Sequence, residues 1–183
     1  MPAILKRSFE AFWDYGHDLF FSTPESFPAT FVAGDVFDPE MISPRTPPKP
    51  SEALPPRPDF KSLTSLTPLQ GHVSAIYAGS FFHLFDEPGQ LQVARQLASL
   101  LSPLPGSIIF GGHVGSLVKG TIESHLHPMF LHSPESWKDL WEGQVFEKGE
   151  IRVDTNLVEV ALKSDEQADA EEVYWLTWSI TRL

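Results

Sequence analysis

Apolar and polar positions change their spacing along the chain, and each change marks an element. Residues 8–21, SFEAFWDYGHDLFF, place Phe9, Phe12, Trp13, Leu19 and Phe20 near helical spacing, with Gly16 as the weak point of the helix they predict. After the turn residues STPESFP, the run ATFVAGDVFDP is rich in β-formers, ends in Gly34 and Asp35 and is stopped by Pro39, which predicts a strand and a loop. In HVSAIYAG, Val73, Ala75, Ile76, Tyr77 and Ala78 are almost continuously apolar, the pattern of a central parallel strand covered on both faces.

Asp86 is placed to cap a helix with Pro88 in its first turn and Val93, Ala94, Leu97, Leu100 and Leu101 as its buried stripe. SPLPG stops it, and SIIFGGHVG reads as the next strand, so residues 73–115 form a β-α-β unit with a right-handed parallel crossover. Ser133 and Pro134 open a cover helix with Trp137, Leu140 and Trp141 on one face. The tail changes to period two: EIRVDTNLVEVAL and YWLTWSITRL, joined by the acidic KSDEQADAEE, predict an antiparallel pair at the edge of a mixed α/β sheet.

Between Pro39 and Pro68 lie nine of the chain's 17 prolines, so this stretch is expected to be a long irregular or polyproline loop. The 183 residues suffice for one domain, residues 1–183, and the 42% apolar content with 14 Phe, 5 Trp and 3 Tyr demands a packed core. The net charge of −11 repels phosphate backbones and anionic lipid, so neither nucleic acid nor membrane is an expected partner. With no spanning apolar run and no signal-type start, a cytoplasmic location is the default expectation. The absence of cysteine rules out disulfides and thiolate chemistry.

The candidate chemistry gathers where the apolar strands end. His83 follows a strand end among aromatic residues and reads either as a general base or as a hydrogen-bonded loop histidine. His113 lines the same pocket or simply turns the chain. Ser80 lies three residues before His83, yet no nucleophile-elbow motif surrounds it, which disfavours a hydrolase. Asp35, in a Gly-Asp loop, reads from the residues alone as a turn-former. His125, His127 and His132, with Glu123 nearby, lack a zinc signature, and no metal site is expected.

The words FWDYGHDLF, FVAGDVFDP, AIYAGSFFHLF, LSPLPGSIIFGGHVG, HSPESWKDLW and YWLTWSITRL, in this order, resemble the C-terminal two-thirds of a class I S-adenosylmethionine-dependent methyltransferase. Within that family they resemble the group of fungal secondary-metabolite pathways, including those making meroterpenoids. The resemblance implies an incomplete Rossmann-like fold, with a mostly parallel sheet and a C-terminal antiparallel hairpin. It places Asp35 near the adenine amino group, the Val36 backbone at the ring edge, and Ala78, Gly79 and Ser80 at the methionine part of the cofactor. Phe81, Phe82 and His83 would border the pocket of a small lipophilic substrate, with His113 beside them.

The family's glycine-rich turn has no counterpart here, and its acidic strand end aligns near Arg7, with Glu10 the nearest carboxylate. The cofactor expectation is therefore S-adenosylmethionine at an incomplete site, or none. Three functions follow: a cofactor-independent cyclase or isomerase of natural-product biosynthesis with His83 and Ser80 as catalytic groups, a methyltransferase completed by a partner or a longer chain, or a non-catalytic interaction remnant. The apolar edges left by the missing strands call for a homodimer or a rebuilt sheet.

Overall fold

The computed structural model describes residues 3–123, 128–160 and 173–183. Its centre is a four-stranded sheet ordered β1-β2-β6-β5, formed by β1 (Ala75–Tyr77), β2 (Ile108–Gly115), β6 (Val173–Arg182) and β5 (Ile151–Val160). The β1/β2 pair is parallel and joined through helix α2 (Glu87–Leu100), as the β-α-β pattern predicts. The β2/β6 and β6/β5 pairs are antiparallel, which corrects the expectation of a mostly parallel sheet. A second sheet of β3 (Gly120–Ile122) and β4 (Met129–Leu131) stands between β2 and helix α3 (Pro134–Trp141).

Local chemistry explains both cover helices. The Asp86 carboxylate accepts from the Gly89 N–H, with Pro88 in the first turn. Ser133 and Ser136 form a reciprocal capping box ahead of α3, again with a proline in the first turn. Both helices press their apolar stripes on one face of the sheet. There Val93, Ala94 and Ala98 of α2 and Trp137, Leu140 and Trp141 of α3 meet Ile109, Leu176, Trp178 and Ile180 in a single buried cluster. Alternation along β6 sets the parity: Leu176, Trp178 and Ile180 point into this core while Thr177 stays exposed.

Two glycines let the indoles in. A Cβ on Gly111 would run into the Ala78 carbonyl and come within 3.0 Å of the Trp178 ring, and one on Gly112 would lie 2.6 Å from Trp175 Nε1. The Gly-Gly pair therefore serves close packing of β1 and two tryptophans against β2.

Two expectations fail. The run at 29–39 forms no strand: no described strand offers it a ladder, so its backbone stays irregular and Phe31 stacks on Trp13 at 5.0 Å instead. β1 is not a central strand covered on both faces but a three-residue edge, with Tyr77 72% exposed beside a half-exposed Phe110. The first helix stands as the spacing predicts, as α1 (Ala3–Phe20), with Phe12, Leu19 and Phe20 facing outward.

The proline-rich segment 39–68 is irregular, as expected, with a short 3-10 turn at Phe60–Ser62. It is nevertheless fastened. Ile42 is buried, Gln96 Nε2 donates to the Ile42 carbonyl at 3.3 Å, and the buried Arg182 guanidinium donates to the Pro48 carbonyl at 2.7 Å. The acidic loop between β5 and β6, and His125 and His127, lie outside the described residues. Among the described residues no helix is long and apolar enough to cross a membrane.

Candidate functional site

In a parallel crossover the place for a ligand is the crevice beyond the carboxyl ends of the strands, which here is the region that follows β1 and β2. The β1 chain continues as Ala78, whose N–H donates to the Phe110 carbonyl at 2.9 Å, and Ser80, whose N–H donates to the Gly112 carbonyl at 2.7 Å. Ser80 sits at φ 52°, the left-handed region that serine rarely adopts, so the two flanking bonds hold a costly turn. That turn leads through Phe81 into a short 3-10 turn, Phe82–Leu84, which carries His83.

The structure brings several of the expected site residues together and separates their roles. Phe82 is fully buried, edge-on to Trp137 at 4.8 Å and to Trp178 at 5.6 Å, so it is a core ring and not the border of a pocket. His113 is 1% exposed and also lies inside the cluster, 4.7 Å from the Trp137 ring. Phe81 and His83 are half-buried and stand nearer the surface, and the His83 ring centre is 6.4 Å from that of His113.

One bond fixes the state of His113. The Trp178 indole, which can only donate, gives its Nε1–H to His113 Nδ1 at 2.9 Å, so the imidazole proton sits on Nε2. Nε2 itself is buried and without a partner. Burial, with His132 and His83 adding like charge, pushes the His113 pKa down to about 3, so the ring stays neutral at ordinary pH. His113 is thus a fixed neutral ring inside the aromatic cluster.

His132 follows the same logic on the other edge of Trp137. Its Nδ1 pairs with Ser136 Oγ at 2.8 Å, and burial lowers its pKa to about 4. No group of three metal-ligating side chains occurs among the described residues. Glu123 is exposed.

Asp35 behaves as a turn-former: its Oδ1 accepts from the Phe37 N–H at 3.0 Å. The Val36 carbonyl accepts from Gln96 Nε2 at 3.4 Å. Phe37 meets Phe85 edge-on at 5.0 Å and Phe85 meets Phe81 at 5.2 Å, so aromatic contacts carry the GDVFDP loop to the mouth of the crevice. Over Gly79, where a close backbone approach would be useful to a ligand, a Cβ would run into the Tyr77 hydroxyl.

Two residues that tie this region together are not among the sequence candidates. Gln90 Nε2 bridges the Phe85 carbonyl at 2.9 Å and the Phe130 carbonyl at 2.8 Å, linking the aromatic turn to β4. A glutamine on the α2 stripe three and four residues before Val93 and Ala94 is the signal that marks it. Tyr77 was legible only as a strand residue.

Over 142 residues, 76% of the chain, the sequence is 33% identical to the O-methyltransferase phiE of a fungal species, and the match spans 40% of that protein. It is 29% identical over 174 residues to the methyltransferase adrK of Penicillium rubens, covering 93% of this chain and 54% of the relative. The asnovolin E/chermesin D methyltransferase nvfJ of Aspergillus novofumigatus is 32% identical over 126 residues, 64% of this chain and 42% of that protein. The chain is a homologue of fungal methyltransferases.

It spans about half the length of the curated relatives it matches, or somewhat less. No family model matches it. For this methyltransferase homologue, S-adenosylmethionine is the cofactor to test against the residues present. The described residues do not by themselves fit it: the Tyr77 hydroxyl lies over Gly79, the Asp35 carboxylate is turned onto its own loop, and the Val36 carbonyl is engaged by Gln96.

Proposed function

We propose that the chain takes part in natural-product biosynthesis as a methyltransferase-like enzyme whose described residues supply the acceptor side of the site. The observation that carries this reading is the 33% identity to phiE over 76% of the chain, which includes the β1-α2-β2 crossover and its crevice. A small lipophilic molecule would rest on the half-buried Phe81 and Phe85 rings, with His83 at the mouth as the acid-base group. Phe82 and His113 hold that wall rigid from behind, and Ser80 contributes its strained backbone. The donor side would be completed across the free edge of β1 by a second copy of the chain. A homodimer is therefore part of the reading, with the exposed Tyr77 and Phe110 beside the edge it covers.

The test is a calorimetric titration of S-adenosylhomocysteine into the purified chain, paired with sedimentation equilibrium. Micromolar binding to a dimer is expected, and His83→Ala should lower methyl transfer by about 10²–10⁴ while leaving binding and folding intact. A chain that binds none at any degree of assembly overturns the reading.

One observation favours a second reading. The Tyr77 hydroxyl lies in the space over Gly79, which suits a cofactor-free cyclisation or isomerisation on the same acceptor wall. Turnover without added donor, to a product of unchanged mass, would support it; a product one methyl group heavier would exclude it.

A further inference from the structure

Away from the crevice, the proline-rich segment and the outer face of α2 enclose a cleft of about 580 Å³. Its walls are Pro44 and Pro47 on one side, Gln92 and Arg95 of α2 on the other, with Arg45 at the rim and Val145 at one end. The cleft exists because the segment is pinned just before it stands off the helix. The Ser43 carbonyl accepts from Gln70 Nε2 at 2.7 Å, the Ser43 N–H donates to Thr67 Oγ1 at 2.9 Å, and Ile42 is held by Gln96. Residues 44–47 then face the next turn of α2 across open space.

The charge of this cleft is opposite to that of the molecule. The chain carries 24 Asp and Glu against 13 Lys and Arg, yet the cleft is lined by two arginines and no carboxylate. Arg95 is exposed and has no acidic partner among the described residues. Arg45 gives one Nη to Glu52, an exposed pair of small net worth, and its fork has further donors to offer. Guanidinium forks match carboxylate and phosphate oxygens, while the proline rings and Val145 suit an apolar body. Of this lining only Gln96 also reaches the other region, through the Val36 carbonyl.

We infer that the cleft between residues 44–47 and α2 binds a small organic anion, an apolar body carrying a carboxylate or phosphate that Arg95 and Arg45 hold. Gln92 is close enough along the helix to add an amide hydrogen bond to the same head group. The site is independent of the methyltransferase reading, and its test uses no methyl donor.

Calorimetric titration of the full 183-residue chain with 2-naphthoate, 2-naphthyl phosphate and the neutral 2-naphthamide decides the matter. At least one anion is expected to bind one-to-one, about tenfold or more tighter than the amide, and to weaken as salt rises. Whichever anion binds tighter names the head group. Arg95→Gln should cost about tenfold in that affinity with an unchanged melting temperature, because the side chain is exposed. Arg45→Gln should cost less, since Glu52 shares it. Equal binding of amide and anions, an Arg95→Gln variant of unchanged affinity, or no saturable heat with either anion would overturn the inference.

Discussion

Two aromatic regions of the chain treat their rings in opposite ways. In the C-terminal part Phe82, His113, Trp137, Trp141 and Trp178 close on one another with no more than a few per cent of any ring exposed. In the N-terminal part Phe12, Tyr15, Phe20 and Phe21 are 69%, 65%, 77% and 95% exposed, and among the described rings Trp13 meets Phe27, Phe31 and His17. The difference lies in what stands opposite. A sheet face with Gly111 left bare accepts the indoles of β6 and α3 at once, whereas α1 has no such surface among its described contacts. Aromatic content alone therefore says little about burial; the apposed surface decides it.

The largest effect expected of this contrast comes from truncating one ring on each side. Trp137→Ala should cost about 3–5 kcal/mol in a urea titration, and Phe12→Ala less than about 0.5 kcal/mol. Comparable losses at both positions would mean that α1 is packed as firmly as the core.

Acid should act on the buried side next. His113 and His132 are held at about 3 and about 4, below the ordinary histidine value of 6.5. Above pH 6.5 both rings are neutral whether the chain is folded or not, and they contribute no slope. Between 6.5 and about 4 the unfolded chain takes up protons that the folded chain excludes. Stability should then fall with falling pH by up to about 1.4 kcal/mol per unit for each ring. A His113→Leu variant, less stable at neutral pH because the Trp178 N–H loses its acceptor, should show a shallower acid slope; an unchanged slope would place the uptake elsewhere.

Gly111→Ala sharpens the comparison at the level of one methyl group. The added Cβ meets the Ala78 carbonyl, and a loss of about 1–3 kcal/mol is expected, readable as a lowered melting temperature. On the exposed side the sign reverses. Phe21 closes α1 at φ 51°, with the Ser22 N–H returning to the His17 carbonyl at 3.0 Å, a place where glycine is at ease and phenylalanine is not. Phe21→Gly should steady the last turn of α1 by about 1 kcal/mol, seen as slower amide exchange there.

What could be read in advance was local or periodic. The Asp86 and Ser133 caps, the stripe of α2 and the alternation of β6 need only neighbouring residues, and each stands where the spacing puts it. The FVAGDVF run failed because a strand is a property of two segments, and the second is absent from the described fold. The same holds for β1, whose uniform apolarity speaks of cover on both faces while the sheet places it at an edge.

Within the crevice, the proximity of Ser80, His83 and His113 was legible from strand-end positions. The tautomer of His113 was not, because it depends on Trp178, 65 residues away in the chain. Nor could the charge of the proline cleft be seen, since Arg45 and Arg95 meet only after the segment folds back on α2.

The tryptophan cluster also makes the protein its own optical instrument. Trp137 lies 4.9 Å from Trp178 and 5.8 Å from Trp141, and the third pair is 6.3 Å apart. At such separations the indole transition dipoles mix, so the near-ultraviolet circular dichroism should carry exciton coupling that changes shape once any one ring turns away. Excitation energy will migrate among the three before emission. Imidazoles touch two of these indoles, His132 at Trp137 and His113 at Trp178, so quenching on acidification would register the protonation of this buried histidine pair with no label attached.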